Sequence, residues 1–291
     1  MFTTAMFHFV RNKRTLYRVN YFPEKLFASL MKKKLNKNII DPKNLFQKKN
    51  LSKNKYLLTF DDGYRDHYSI FKKYLKKNKA IFFLNGKTIE DKEFLDVNKI
   101  QLIANNFNHT ELMQLTEQLL SREFKKRFLL KNLPSISQTY RPFDTKEISM
   151  FKYIFQILLP LKKSTHLLNK IFYNYLKIDH KKVFKDLYLN IDQIYEMKKK
   201  GMIFGNHTFN HYPLVKLNYK KQFYEIKKNH DFLVKYNLLD QNIFAYPYGM
   251  YNKVTLKVLK KLNYDIAFTV KNNKSSLINP LEINRKDANY L

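Results

Sequence analysis

Two histidines, His207 and His211, stand four residues apart in the run Gly-Asn-His-Thr-Phe-Asn-His, just after a short apolar stretch at residues 202–204. An i, i+4 spacing puts both imidazoles on one side of a helical turn. With one carboxylate they form a two-His, one-carboxylate set that leaves coordination positions open for water and substrate. Asp61-Asp62, followed by Gly63, supplies the carboxylate at the end of another apolar run, Tyr56–Phe60. Asp-Asp-Gly is also ordinary turn chemistry. However, two crowded carboxylates cannot both keep ordinary ionisation unless a cation lies nearby. If one ligates an ion while the other takes a proton from bound water, the conflict is resolved. Neither pair is informative alone; together, each just past a strand end, they predict a metal site.

The elements that must position these residues are short. Strands are predicted at residues 5–10, Tyr56–Phe60, 80–84, 202–204, 243–246, Ile266–Val270 and 282–285, nearly all apolar throughout. Helical patterns fall at residues 23–35, 66–77, 191–200, 218–236 and 253–262. Strands buried on both faces and joined by helical crossovers argue for a parallel sheet. Pattern alone leaves a barrel and a doubly wound sheet both open. In either, functional residues belong at the C-terminal ends of strands, where the aspartates and histidines fall.

One stretch breaks the rhythm. Residues 88–190 contain no clear strand, but helical patterns run over 111–133 and 147–177. That span is too long for a plain loop, so it reads as a helical insertion within a single domain of residues 1–291. Its 151–177 segment mixes Phe, Tyr, Ile and Leu with Lys and is expected to form a cap helix. An alternative use is contact with an anionic membrane surface.

Composition bounds the classes. The 291 residues carry 55 Lys+Arg against 24 Asp+Glu, a formal net charge of +31, and 44% are hydrophobic, enough for a sizeable core. There is no Cys, which excludes disulfides, thiolate metal sites and a cysteine nucleophile. The lysines are scattered (32–34, 48–49, 76–77, 125–126, 198–200), and Asn, Ile, Tyr and Phe are abundant while Trp is absent. Codon drift in an A+T-rich genome is one reading of that joint bias and a true anionic partner the other, and no basic stripe or motif points to nucleic acid. The N-terminal residues lack a secretory signal pattern, and no window is apolar enough to span a membrane. The expected location is therefore cytoplasmic, with membrane association at the inner face allowed.

Three motifs in order, Thr59-Phe60-Asp61-Asp62-Gly63-Tyr64, His207-Thr208-x-x-His211 and Phe244-Ala245-Tyr246-Pro247-Tyr248-Gly249, resemble those of the polysaccharide deacetylases, the NodB-homology domain of carbohydrate esterase family 4 type. The resemblance covers residues 5–86 and 191–288 and is closest to the FAYPYG-type branch. It implies a distorted (β/α)7 barrel, with the insertion between the third and fourth strands. The implied activity is hydrolytic removal of N-acetyl or related N-acyl groups from a glycan or surface-polysaccharide precursor; on such a barrel the 151–177 segment would cap the mouth, or at a membrane surface bring the site to lipid-linked glycans. Carried over by residue, Asp61 is the general base, and Asp62, His207 and His211 hold one divalent ion. Zn²⁺ is expected from the ligand types, and Co²⁺, Ni²⁺, Mn²⁺ or Fe²⁺ suit the same set. The backbone N–H of Tyr248 would bind the oxyanion, with Tyr246 and Pro247 beside it at the substrate.

Two departures stand out. The family's late Leu-x-His histidine, which gives the leaving amine its proton, has no counterpart after His230. His8 is the substitute, since alternation puts Met6, His8 and Val10 on one face of the first strand; a buried structural histidine is the plain alternative. Ala245 stands where many relatives have Arg, and Arg285 is the candidate to supply that guanidinium beside Asp61. His67, His109, His166, His180 and His230 read as solvated or structural. Two rivals remain: a two-His, one-carboxylate iron oxygenase, and a non-catalytic glycan- or membrane-surface-binding protein on the same fold. The oxygenase normally brings its first His and its acid close together in sequence, and no such pair is placed that way.

Overall fold

Seven short strands lie parallel and close into a barrel, which settles the choice between barrel and open sheet. They are β1 (Thr3–Phe7), β2 (Tyr56–Phe60), β3 (Ile81–Leu84), β4 (Ile203–Asn206), β5 (Ile243–Ala245), β6 (Ile266–Val270) and β7 (Ile283–Asp287). Each pairs with the next in chain order, and β7 closes on β1 through Ala5↔Lys286 and Met6↔Asp287. The computed structural model describes residues 2–12, 21–35, 38–46, 55–133, 144–270 and 278–291. Lys48 and Lys49 of the basic runs lie outside the described residues.

Two compact units are present: one of Met1–Lys13, Asn20–Phe94 and His180–Leu291, the other holding Leu95–Asp179. In chain order the described α-helices longer than one turn are α1 (Glu24–Leu30) and α2 (Arg65–Tyr74), then α3 (Asp96–Asn106), α4 (His109–Phe124), α5 (Lys146–Tyr153) and α6 (Leu161–Lys170), then α7 (His180–Leu187), α8 (Ile191–Lys199), α9 (Tyr219–Lys235) and α10 (Lys253–Lys261).

Alternation along the strands sorts the barrel's side chains into two layers. Leu58, Phe60, Phe82, Leu84 and Phe204 pack outward against Ile70 and Phe71 of α2, Ile194 and Met197 of α8, and Phe232 and Leu233 of α9. Leu57, Ile81, Phe83, Ile203, Ile243, Phe268 and Ile283 fill the inside. Phe83 and Phe268, on strands that are not neighbours, meet across the barrel at 5.6 Å. Gly205 is required there, because a Cβ would stand 2.5 Å from the Phe83 ring. The same period of two carries the inner rows upward from Leu57 and Thr59 to Asp61, from Ile203 and Gly205 to His207, and from Ile283 to Arg285.

Three predicted elements differ. The first strand ends at Phe7 rather than residue 10, and Val10–Arg11 pairs separately with Phe22–Pro23. His8 therefore lies beyond the strand instead of on its inward face. In the second unit, the single helix predicted over 151–177 is two. Leu159 and Pro160 take extended backbone, and Pro160 begins a new helix, where its missing N–H costs nothing. The pattern over 111–133 stops at Phe124, where Lys125 adopts a left-handed φ of 49°.

Candidate active site

The site lies at the C-terminal ends of β2, β4, β5 and β7. Asp61 is held first by its main chain, whose N–H donates to the Phe7 carbonyl at 3.0 Å. Its carboxylate then receives a two-pronged contact from Arg285, Nη1 to Oδ1 and Nη2 to Oδ2, both at 2.7 Å. Both residues are buried, Arg285 completely. Burial pushes the Asp61 pKa up, but the charge and hydrogen bonds of Arg285, with smaller help from His207 and His8, overcome it and hold the carboxyl well below its usual range. Arg285 also contacts Thr59 Oγ1 at 3.4 Å and lies 5.6 Å over the Phe83 ring, so the inner barrel fixes its plane.

Asp62 adopts φ 71°, which turns its side chain away from that of Asp61. The Tyr64 hydroxyl donates to its Oδ2 at 2.8 Å. Oδ1 is buried and accepts no hydrogen bond, but faces His207 Nε2 at 3.5 Å and His211 Nε2 at 3.3 Å. His207 Nδ1 donates to the Ala245 carbonyl at 2.7 Å, which leaves Nε2 with its lone pair directed at Asp62. His211 is oriented by ring packing against His207 at 4.7 Å and Tyr248 at 4.9 Å. Burial lowers both histidines, His207 to about 4 and His211 to about 3, so both rings are neutral at ordinary pH.

This donor set fits a divalent ion. For ligand bonds of about 2.1 Å, tetrahedral geometry separates ligand atoms by roughly 3.4 Å, and the two Asp62–His distances bracket that value. The ligand atoms of Asp62, His207 and His211 all lie within 4.8 Å of one another, the one such group among the described residues. An orphaned, buried carboxylate oxygen facing two neutral imidazole nitrogens is otherwise costly.

The histidines do not converge through a helical turn, as their spacing suggested. Residues 207–213 form an irregular loop in which Thr208 (φ 63°) and His211 (φ 58°) are left-handed. A β-branched residue there is strained, by roughly 1–3 kcal/mol, and the surroundings hold Thr208 on three sides. Its N–H donates to Asn206 Oδ1 at 2.8 Å, its carbonyl accepts from Asn85 Nδ2 at 2.9 Å, and its Oγ1 accepts from the His211 N–H at 3.1 Å. Asn229 of α9 joins the group, donating to Asn206 Oδ1 and to the Leu84 carbonyl at 2.9 Å while accepting from the Gly86 N–H at 2.6 Å. Glu225, one turn earlier, accepts from the Asn210 N–H and side-chain amide.

Sequence reading gave no role to Asn85, Asn206, Asn229 or Glu225. A signal existed. Gln222, Glu225 and Asn229 recur at helical spacing on the otherwise apolar face of α9 that carries Ile226, Phe232 and Leu233, and all are buried.

The remaining predicted residues are placed as follows. The His8 side chain is 41% exposed, with Nε2 4.0 Å from Asp61 Oδ2. Its carbonyl accepts from His67 Nε2 at 2.8 Å, and the next residue, Phe9, stacks on Tyr64 at 3.8 Å. Tyr248 is left-handed (φ 59°) in the turn after β5. Tyr246 is fully buried, stacks on Tyr251 and donates its hydroxyl to the Leu281 carbonyl, while Pro247 is buried beside it. Those two support the turn from beneath, and Tyr248 is the member of the trio that packs on His211.

A family model matches this chain over residues 158–267, a span that takes in His207, His211 and the Tyr246–Tyr248 turn. The matching family is polysaccharide deacetylase. The span leaves Asp61, Asp62, His8 and Arg285 outside, so their assignment rests on the geometry above. The barrel fold recurs in solved structures. The Streptococcus pyogenes deacetylase PplD in complex with acetate has 19% identity and a TM-score of 0.59, over 98% of this chain and 91% of that one. IcaB from Ammonifex degensii has 14% identity and a TM-score of 0.57, over 99% and 91%. The de-N-acetylase from Aggregatibacter actinomycetemcomitans has 14% and 0.55, over 98% and 94%. No curated protein matches the chain. Among the described residues, no helix is long and apolar enough to cross a membrane.

Proposed function

We propose that the protein is a metal-dependent hydrolase that removes N-acetyl, or related N-acyl, groups from a glycan. The observation that carries this reading is Asp62 Oδ1, buried without a hydrogen bond between two neutral imidazole nitrogens and adjacent to a carboxylate held ionised by Arg285. Asp62, His207 and His211 would hold the ion, Zn²⁺ by ligand type. When bound it would supply Lewis acidity toward the acyl carbonyl and toward water.

The chain's own groups divide the remaining work. Asp61 accepts the proton of the attacking water, with Arg285 fixing which oxygen faces it. The Tyr248 N–H, turned by its left-handed backbone, donates to the oxygen that gains charge on the acyl carbon. His8, exposed at the rim 4.0 Å from Asp61, gives a proton to the departing amine. The likeness to solved deacetylases, one of them holding acetate, supports an acetyl group as the first substrate to test.

The test measures bound Zn²⁺ and acetate released from N-acetylglucosamine oligomers for wild type, Asp61→Asn and the double variant His207→Ala/His211→Ala. Expected are about one ion per chain in wild type and Asp61→Asn, none in the double variant, and acetate from wild type alone. Undiminished release by Asp61→Asn would remove Asp61 as the base. Absence of ion from all three would leave the barrel as a glycan-binding scaffold.

A further inference from the structure

Beside the Asp61–Tyr64 segment, on the same face of the barrel, is a cleft of about 520 Å³ that the proposed chemistry does not use. Arg65 and Lys92 line one side, from the turns after β2 and β3, and Lys185, Asn190 and Gln193 line the other. Its wall is continuous with the metal site. The Leu189 N–H donates to the Gly63 carbonyl at 2.9 Å, and Tyr188 stacks at 6.3 Å on Tyr64, whose hydroxyl holds Asp62. Ile89, Phe184 and Tyr188 make an apolar floor.

The charged and amide side chains of the lining offer donors here, and the Thr88 hydroxyl is spent on the Asn85 carbonyl. Asn190 and Gln193 commit their carbonyl oxygens to each other's main chain in a capping box at the start of α8, which leaves their NH₂ groups. Lys92 and Lys185 are exposed, and no carboxylate among the described residues lies within ion-pair distance of either. Arg65 uses Nη1 on Asp186 and on the Lys185 carbonyl, and its other nitrogens remain. No carboxylate lines the cleft. The volume suits one or two sugar rings, and an apolar floor with convergent donors is how a pocket grips a ring that carries an anionic group.

We infer that this cleft is a subsite for an acidic sugar, one bearing a carboxylate or a phosphate, next to the unit that loses its acyl group. The inference names the substrate class for the deacetylase reading and rests on that reading only for the word substrate; binding itself needs neither ion nor turnover.

The test is calorimetric binding of three probes to the full chain: a hyaluronan tetrasaccharide, which alternates glucuronate with N-acetylglucosamine; N-acetylglucosamine 1-phosphate; and neutral chitotetraose. Wild type should bind at least one of the two anionic probes about tenfold more tightly than chitotetraose. The arm that shows the gain separates carboxylate from phosphate. Lys92→Gln/Lys185→Gln, both exposed, should remove the preference. Lys257→Gln/Lys261→Gln on α10 should keep it, which separates the cleft from the general charge of +31. Equal affinity for anionic and neutral probes, or equal losses in the two double variants, would overturn the subsite. Acetate release from neutral oligomers reports separately on the deacetylase reading.

Discussion

Arg285 and Asp61 face each other in a buried, two-pronged ion pair although they lie on opposite sides of the β1 strand and 224 residues apart in sequence. The pair keeps a carboxylate ionised where burial alone would protonate it. Arg285→Lys keeps a charge but not the planar fork. Asp61 then loses part of what holds its pKa down, so the acid limb of the pH–rate profile should move to higher pH, with the alkaline limb unchanged. Arg285→Ala should cost about 3–5 kcal/mol of stability, because it leaves Asp61 buried and unpaired. An unmoved acid limb in Arg285→Lys would mean that Asp61 is not the group whose ionisation sets the rate.

Tyr64→Phe removes one hydroxyl and nothing else. Without that donor to Oδ2, the Asp62 carboxylate is free to rotate, and metal affinity should fall about 10- to 100-fold. The ring keeps its stacks on Phe9 and Tyr188, so the metal-free protein should unfold within about 1.5 kcal/mol of wild type. Chelator competition for Zn²⁺ and urea unfolding separate the two effects. Equal loss in both would make Tyr64 a packing residue only.

Most of the strands were legible because they are apolar runs too short for a helix, three of them closed by turn residues at Asp61-Asp62-Gly63, Asn85-Gly86 and Pro247, whereas β7, Ile-Asn-Arg-Lys-Asp, carries no such run. The candidate metal ligands were legible as residue types at strand ends. The path between His207 and His211 was not. Their spacing mimics a helix, and the residues that turn the chain, Thr208 and His211 itself, carry no glycine to mark a left-handed position. Arg285 gained its place from barrel closure, which pairs β7 with both β6 and β1 and aims alternate residues inward. The long insertion helix failed at Pro160, visible in the sequence but equally compatible with a kink or with a new first turn.

Asn229 lies on α9, touches no ligand and holds the histidine loop through Asn206. Asn229→Ala leaves the buried Gly86 N–H without this partner, at a cost of about 1–3 kcal/mol, while the Leu84 carbonyl keeps the His207 N–H at 3.1 Å. Unfolding should show a loss in that range, and Zn²⁺ affinity should drop with it as Thr208 relaxes from its left-handed conformation. Asn229→Asp restores acceptance from Gly86 but not donation to Leu84, so it should recover only part of the stability. Full stability in Asn229→Ala would place the clamp on Thr208 elsewhere.

His67 offers a pH test that does not involve the ligands. It is fully buried among Phe60, Tyr64 and Phe82, and burial lowers it from 6.5 to about 3 despite its hydrogen bond to the His8 carbonyl. The unfolded chain therefore takes up this proton below pH 6.5 while the folded chain refuses it until near pH 3. Stability is lost as pH falls through that window. Between pH 7.5 and 5 the loss is about 2 kcal/mol, and it depends only on the folded value lying well under 5. His67→Gln retains a donor for the His8 carbonyl and has nothing to titrate. Its urea midpoint should thus fall less between the two pH values, by an amount equivalent to about 2 kcal/mol, with His207 and His211 contributing equally to both proteins. Parallel slopes for wild type and variant would mean that the folded protein admits the proton to His67, and that the ring is not sealed beneath the His8 segment.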